Sequence, residues 1–333
     1  MEIGSARSVA FIAQNQLQKF RDQGYLVCPG ILDPNEDLLP VRKEYEMLLD
    51  RVADELFSSG EISSKFELLE FDKRVCAMYE EMGSKLHTYL DISLPQKDVE
   101  HKTPVHTGPA VFNLITNTKL LNLLEGILGS ELYSNPTQHV RIKPPANYTD
   151  NGELLTPEVT TTVWHQDLGT VSPEADESDI VTVWIPLTEA NKINGCLLVA
   201  PGSHKRGLAV HCHDHMSKYS RQAIPDSLVG KDRKALEMFP GDVLIFDKMT
   251  MHASLPNLSQ SIRWSFDLRY QKIGWPTGRP SFPGFVVRSE TNPSSVLSCP
   301  EEWAQLWKEA RQKIISDPPG SFQRWREGHP DCA

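Results

Sequence analysis

The sequence contains no apolar run long enough to span a membrane. It has no basic tract either: 34 Lys and Arg stand against 44 Asp and Glu, a formal net charge of −10. That balance argues against nucleic acid or an anionic membrane as a partner, while leaving room for a small anion in a local basic pocket. Cysteine is sparse and scattered. Cys28, Cys76, Cys196, Cys212, Cys299 and Cys332 form no C-x-x-C pair and no dense framework, a spacing that points to free thiols in a reducing compartment. The first residues lack an apolar signal core and the last four, Pro-Asp-Cys-Ala, are not a peroxisomal address, so the expected location is cytoplasmic. No internal repeat or low-complexity linker divides the chain, and 1–333 is expected to be one domain. With 39% hydrophobic residues, its core needs no metal or disulfide staple.

What is present divides into a helical part (1–130), a strand-rich core (131–272) and a C-terminal arm with a helix (273–333). Apolar spacing predicts helices over 11–24, 40–56, 75–90 and 118–128, the last capped by Asn117 and stopped by Gly129, with a short strand at 25–28. Alternating or β-branched runs predict strands at 138–143, 160–167, 180–185, 194–200, 243–246 and 263–270. The segments 98–109, 146–157 and 205–236 read as polar loops, 275–285 as an extended Pro/Gly segment (a lid or an interface arm), and 300–315 as an amphipathic helix with Pro300 first. The fold expected from this order is mainly β with flanking helices, a double-stranded β-helix of the jelly-roll, cupin-like kind.

The chemistry centres on Thr160-Thr-Thr-Val-Trp-His165-Gln-Asp167. Side chains alternate across a strand, so His165 and Asp167 share one face and Gln166 takes the other. An imidazole and a carboxylate so placed are two corners of a metal site. One further His completes a 2-His-1-carboxylate triad of the kind that leaves open positions on ferrous iron. His252, a few residues beyond the 243–246 strand, stands where it re-enters the mouth of a barrel. On the last strand Ile262, Trp264, Phe266 and Leu268 form one face, while Arg263, Ser265, Asp267 and Arg269 form the other. A guanidinium on a face lining a polar cavity is a natural partner for a carboxylate, because its planar fork matches two oxygens.

Taken together, His165-Gln-Asp167, Trp184, Asn194-Gly-Cys-Leu, Pro201-Gly-Ser-His204, Pro240-Gly-Asp242, His252-Ala-Ser254, Asn257, Arg263 and Tyr270 resemble the phytanoyl-CoA dioxygenase family over about residues 15–272. The resemblance implies an oxygenase using Fe(II), 2-oxoglutarate and O2 on a small organic substrate, with hydroxylation coupled to release of succinate and CO2. It implies His165, Asp167 and His252 as iron ligands and Arg263, with Ser254 beside it, as the holder of the far carboxylate of 2-oxoglutarate. Thr182 and Trp184 match a strand that flanks the cosubstrate, and Gln138 a strand that often contributes a polar contact. Relatives that halogenate carry a small residue at the position of Asp167, so the carboxylate here implies hydroxylation, desaturation or ring rearrangement. Net charge and the missing peroxisomal address favour a free small molecule, of secondary metabolism, over a CoA thioester. The oligomeric state is open, a homodimer among the options.

Each of these residues also has a plainer reading. Arg263 alone reads as a salt-bridged strand residue, Ser254 as turn chemistry, Thr182 and Trp184 as core, and Gln138 as structural. Lys143, before Pro144-Pro145, reads as a solvated strand end, or else as a contact for an anionic substrate; Asp267 and Arg269 read as an ion pair with each other. His101 and His106 read as surface or packing residues. One cluster competes for the metal: His211-Cys-His213-Asp-His215 has the residue types of a binding loop but no second pair of ligands. If it held the metal, the protein would be a metal-binding module with no need of Arg263; the rival to the enzyme reading as a whole is a jelly roll that binds a ligand or metal without turnover.

Overall fold

The computed structural model describes residues 12–146, 149–150, 153–154, 161–213, 222–319, 324, 325 and 329–332. Helices α1 (Gln14–Gln23), α2 (Leu39–Ser59), α3 (Phe71–Met82), α4 (Lys85–Leu90), α5 (Pro109–Ile115) and α6 (Thr118–Leu128) precede most of the strands. Their boundaries follow local chemistry. Gly24 and Gly60 end α1 and α2 in the left-handed region, at φ 79° and 76°, and Asn117 accepts from Lys119 N and Leu120 N at the start of α6. The first turn of α5 is held by Glu44 of α2, which accepts from Ala110 N at 2.7 Å and lies 2.9 Å from His106 Nε2. His106 is thus a packing residue, as expected.

The strands are β1 (Tyr25–Cys28), β2 (Leu132–Lys143), β3 (Thr149–Asp150), β4 (Glu153–Leu154), β5 (Ile180–Pro186), β6 (Leu197–Val199) and β7 (Cys212–His213), followed by β8 (Gln222–Ala223), β9 (Lys234–Leu236), β10 (Val243–Asp247), β11 (His252–Ser254), β12 (Arg263–Lys272) and β13 (Phe285–Arg288). Six of them form an antiparallel sheet in the order β1-β10-β5-β12-β2-β13, and three form a smaller one, β11-β6-β9. The sheet therefore reaches beyond 131–272 at both ends. It recruits β1 from the helical part and β13 from the arm. The 205–236 segment is likewise more than a loop, since β9 pairs with β6.

Alternation sorts the large sheet into two buried faces. Its outer side, with Val140, Ile142, Val183, Ile185, Ile245, Trp264, Phe266 and Leu268, packs in one cluster with the helices. There Trp264 lies against Tyr45 and Phe71 at centroid distances of 5.0 and 5.2 Å. The inner side sends Tyr25, Trp184, Leu244 and Phe246 onto Leu197, Val199 and Leu236 of the smaller sheet. Register slips between Asp267 and Arg269 of β12 opposite 135–139 of β2, where Pro136 has no N–H to offer the ladder.

The C-terminal part is built in rather than free. The 275–285 segment is stapled to the body: Asn135 Nδ2 donates to Thr277 O, Ser178 Oγ to Pro276 O and Ser172 N to Gly278 O at 3.0, 2.7 and 3.1 Å. After it, α7 (Asp226–Val229) having occurred earlier in the chain, α8 (Pro300–Ser316) buries Trp303, Trp307 and Ile314 in the helical core. Beyond α8, Arg324 Nε donates to Val171 O at 2.7 Å, and Cys332 is disulfide-bonded to Cys212. The expectation of free thiols is thereby corrected for two cysteines; Cys28, Cys76, Cys196 and Cys299 remain free. The pairing spans 120 residues and depends on where the tail returns, which spacing alone does not reveal. Among the described residues, no helix is long and apolar enough to cross a membrane.

Candidate active site

The residues predicted to form one long strand do so only at one point. His165 and His252 make an isolated antiparallel bridge, each donating its N–H to the other's carbonyl at 3.0 Å, and Asp167 begins a 3-10 turn through Thr170. Thr160 lies outside the described residues. The bridge sets the two imidazoles side by side, ring centroids 4.1 Å apart, and the turn brings the carboxylate beneath them. Potential ligand atoms of His165, Asp167 and His252 all lie within 4.8 Å of one another. Asp167 Oδ1 is 3.7 Å from His165 Nε2 and 3.8 Å from His252 Nε2.

Hydrogen bonds fix which ring nitrogen faces inward. Nδ1–H of His165 donates to Val163 O and that of His252 to Thr250 O, both at 2.9 Å, which leaves each Nε2 lone pair toward Asp167. Burial, helped by the neighbouring His252, pushes the pKa of His165 down to about 3, so its ring stays neutral and available as a donor. Burial on its own would raise the Asp167 carboxyl. Arg269 and the two imidazoles outweigh it and hold the carboxyl well below the usual carboxylate range. An anionic oxygen and two imidazole nitrogens suit a divalent first-row metal.

Asp167 is also oriented from behind. Arg269 Nη2 donates to its Oδ1 at 2.5 Å and Thr182 Oγ1 donates to its Oδ2, while Arg269 Nη1 holds Thr137 O at 2.7 Å. The expected Arg269–Asp267 pair is therefore not formed: Asp267 faces Arg141 Nε at 3.4 Å. Alternation had already put Arg269 on the inner face, but its partner comes from a turn 102 residues away. Gln166 points the other way, as expected, and is saturated. Its Nε2 donates to Gly207 O and Met249 O, and its Oε1 accepts from Ala209 N, at 2.9, 2.7 and 2.8 Å.

The described residues of the competing cluster are accounted for without a metal. His211 is buried, its Nδ1–H donates to Ala209 O at 2.9 Å, and its Nε2 accepts from Gln166 N at 3.0 Å. Both ring nitrogens are used, and burial lowers its pKa to about 4, so the ring is neutral. Its face stacks on Trp325 at 5.1 Å, and Gly169 leaves it room, since a Cβ there would lie 2.5 Å from His211 Cε1. Cys212 is spent in the disulfide, His213 Nε2 lies 3.1 Å from Gln222 Nε2, and Asp214 and His215 lie outside the described residues.

The remaining predicted residues lie on the inner wall or close to it. Arg263 is 1% exposed, donates from Nη1 to Ser265 Oγ at 2.6 Å, and lies 5.5 Å from the Trp184 ring centroid. Burial lowers its pKa to about 10, which still leaves it cationic at neutral pH. Ser254, two residues past His252, accepts from Thr162 N at 2.9 Å and from Lys143 Nζ. Lys143 is thus not a solvated strand end but 1% exposed, because β11 covers it. Gln138 is buried on β2 with an unpartnered carbonyl oxygen, and Arg263 Nε is buried without a partner as well. His101 is exposed and takes no part.

This arrangement of an H-x-D turn, a returning His and a buried arginine on a two-sheet scaffold defines a class of metal-dependent oxygenase-like proteins. A model of the family Phytanoyl-CoA dioxygenase (PhyH) matches residues 20–265, and the chain belongs to that family. Similar proteins include the 1-deoxypentalenic acid 11-beta-hydroxylases of Streptomyces arenae (28% identical over 197 residues) and Streptomyces exfoliatus (32% over 167). These matches cover 57% and 48% of this chain but only 65% and 56% of those proteins' lengths. The ectoine dioxygenase of Nocardia farcinica is 26% identical over 295 residues, covering 82% of this chain and 85% of that one. Among solved structures, the apo non-heme monooxygenase ThoJ superposes with a TM-score of 0.52 at 16% identity, over 90% of this chain and 97% of that chain. EctD from S. alaskensis, with 2-oxoglutarate and 5-hydroxyectoine, gives 0.50 at 18%, over 81% and 80%. Those likenesses establish a shared fold.

Proposed function

We propose that the protein is a non-heme Fe(II)- and 2-oxoglutarate-dependent dioxygenase that hydroxylates a C–H bond of a free small organic substrate, releasing succinate and CO2. The observation that carries the reading is the convergence of His165 Nε2, His252 Nε2 and Asp167 Oδ1, with both Nδ1–H groups tied to backbone carbonyls. These three side chains hold the iron. Iron held there would supply the oxidising chemistry, with the 2-oxo acid and O2 as its reactants. The chain supplies position: Arg269 and Thr182 hold the Asp167 carboxylate, and His211 with Gln166 holds the backbone between the first two ligands. Arg263 and Ser254 receive the far carboxylate of 2-oxoglutarate, with Trp184 walling the same space and Thr182 acting through Asp167. Gln138, its carbonyl oxygen unpartnered in a buried position, offers an acceptor to cosubstrate or substrate.

In this reading the two facing sheets are the halves of a double-stranded β-helix and the whole chain is one domain. The substrate is a product of secondary metabolism, and the protein works in the cytoplasm, a location that its four free thiols support and the Cys212–Cys332 disulfide opposes. The intact carboxylate at Asp167 supports hydroxylation, desaturation or rearrangement over halogenation. The test is succinate formation from 2-oxoglutarate, dependent on Fe(II) and O2, in the wild type and in His165→Ala and His252→Ala. Turnover confined to the wild type is expected; equal succinate in all three would refute the site.

A further inference from the structure

The chain beyond α8 contributes no ligand to the metal triad, yet it grips the turn that carries Asp167 in two places. Arg324 Nε donates to Val171 O at 2.7 Å, and the same guanidinium pairs with the Asp176 carboxylate. That side chain is only 6% exposed, so the grip is a buried one. Next to it Trp325 lies flat on His211, ring centroids 5.1 Å apart and planes 18° from parallel. His211 Nε2 accepts from Gln166 N at 3.0 Å, and Gln166 stands between the ligands His165 and Asp167. The indole therefore braces the imidazole that holds the backbone of the H-x-D turn.

A covalent bond keeps that brace in place. Cys332, a few residues past Trp325, is joined to Cys212, the chain neighbour of His211. Both bonded cysteines are half-buried, whereas the free thiols Cys28, Cys76 and Cys196 are buried. A reductant thus reaches the bonded pair far more readily than those three thiols. Disulfides of cytoplasmic proteins are as a rule transient or redox-sensing, so the four free thiols and the one disulfide share a compartment when that bond opens and closes. With the bond open, Arg324 and Trp325 hold the segment by non-covalent contacts alone, and a segment held that way opens at low cost.

We propose that Trp325 is a positioning residue for the metal-binding turn and that the Cys212–Cys332 disulfide is the redox latch that keeps it there; this rests on reading His165, Asp167 and His252 as the iron site. In the latched form His211 is braced, the Gln166 N–H is held, and the two ligands on either side of it keep their spacing. Unlatching consumes a dithiol reductant. One of its thiolates attacks a sulfur of the bond, a mixed disulfide forms, and the second thiol displaces it. Cys212 and Cys332 gain two electrons and two protons between them, and the reductant leaves as its own disulfide. The iron affinity of the site then follows its thiol–disulfide state.

The test combines hydrogen exchange of the Gln166 amide in the metal-free protein, read by NMR, with anaerobic Fe(II) affinity from competition with a chelator. Both are measured on wild type with the disulfide closed, wild type opened by a phosphine, Cys332→Ser, Trp325→Ala and Trp325→Phe, with the β12 amides as the control for fold. Opening the bond or removing the indole is expected to speed Gln166 exchange by about tenfold or more, with β12 unchanged. Fe(II) affinity is expected to fall by about threefold to tenfold, less than for loss of a group that holds a ligand directly. Trp325→Phe keeps an aromatic face and recovers most of both. Unchanged Gln166 exchange, or unchanged Fe(II) affinity, in the opened protein overturns the proposal and leaves the disulfide a staple of the tail. Should opening the bond also loosen β12, Trp325→Ala carries the test with the disulfide intact, and wild-type exchange there overturns the proposal. A wild type that binds no Fe(II) in either state, while Gln166 exchange still responds, overturns the iron reading and leaves the latch standing.

Discussion

The two faces of β12 share one backbone and are both buried, yet they are built on opposite terms. Outward, Trp264, Phe266, Leu268 and Tyr270 enter the cluster formed with the helices. Those contacts are numerous, individually weak and non-directional. Inward, Arg263, Ser265, Asp267 and Arg269 each meet named atoms, namely Ser265 Oγ, Arg263 Nη1, Arg141 Nε and Asp167 Oδ1. Among the described residues, the outer face of β12 leaves one such group unpaired, the indole N–H of Trp264, while Trp303, Trp307 and Arg311 of α8 each leave one N–H unpaired. On β12's inner face the unmatched groups are Arg263 Nε, Arg269 Nε and Asp267 Oδ1. A buried polar group without a partner costs stability, so a wall that keeps several is a wall meant for something else to touch. Stability resides on one face and chemistry on the other.

That contrast can be broken in order of expected effect. Asp167→Ala on the inner side removes the only charged donor of the triad; iron affinity and turnover should fall by about a thousandfold or more, and folding stability by about 3–5 kcal/mol because Arg269 is left buried without its carboxylate, read by metal titration and calorimetry. Trp264→Ala on the outer side should also cost roughly 3–5 kcal/mol in denaturant unfolding, but leave the iron affinity of the folded fraction unchanged. Arg269→Gln removes support from a metal ligand rather than the ligand, and should weaken iron binding by about tenfold to a hundredfold. Asp91 tests the outer edge of β2, where it accepts from Val140 N and lies 2.8 Å from His139 Nδ1. Burial opposes its ionisation, but His139 and its hydrogen bonds prevail and lower its pKa from 3.8 to about 2. Its contribution, roughly 2 kcal/mol, is full above the unfolded-state pKa and is lost as pH falls through the folded one. Acid unfolding between about pH 4 and 2 should flatten in Asp91→Asn, which leaves iron binding at neutral pH unaltered. Ser265→Ala, which takes away the acceptor of the buried Arg263 Nη1, should cost about 1.5–2 kcal/mol.

Much of this division was readable beforehand, because alternation along 263–270 is a local property. So were α2, α6 and α8, whose apolar periodicity and caps are carried by neighbouring residues. His165, Asp167 and His252 were legible as a pattern of residue types and spacing, and Gln166 as the residue facing away. What escaped is long-range. Lys143 looks solvated until β11, 111 residues later, places Ser254 on its ammonium. Arg269 has an acidic residue two positions away and binds a more distant one instead. His211 shares the composition of a metal loop, yet the backbone N–H of Gln166 claims its free nitrogen. The Cys212–Cys332 bond depends on the path of the tail, and composition holds no record of that path.

The central claim is that the inner face, not the His211 loop, holds iron and its cosubstrate. The most direct measurement is an anaerobic titration of the metal-free protein with Fe(II) and 2-oxoglutarate, following the visible charge-transfer band of the chelate in the wild type, Asp167→Ala, Arg263→Ala and His211→Ala. The account predicts a band in the wild type, its loss or weakening in the first two variants, and its retention in His211→Ala. No band in the wild type, with iron binding instead abolished by His211→Ala, would contradict it.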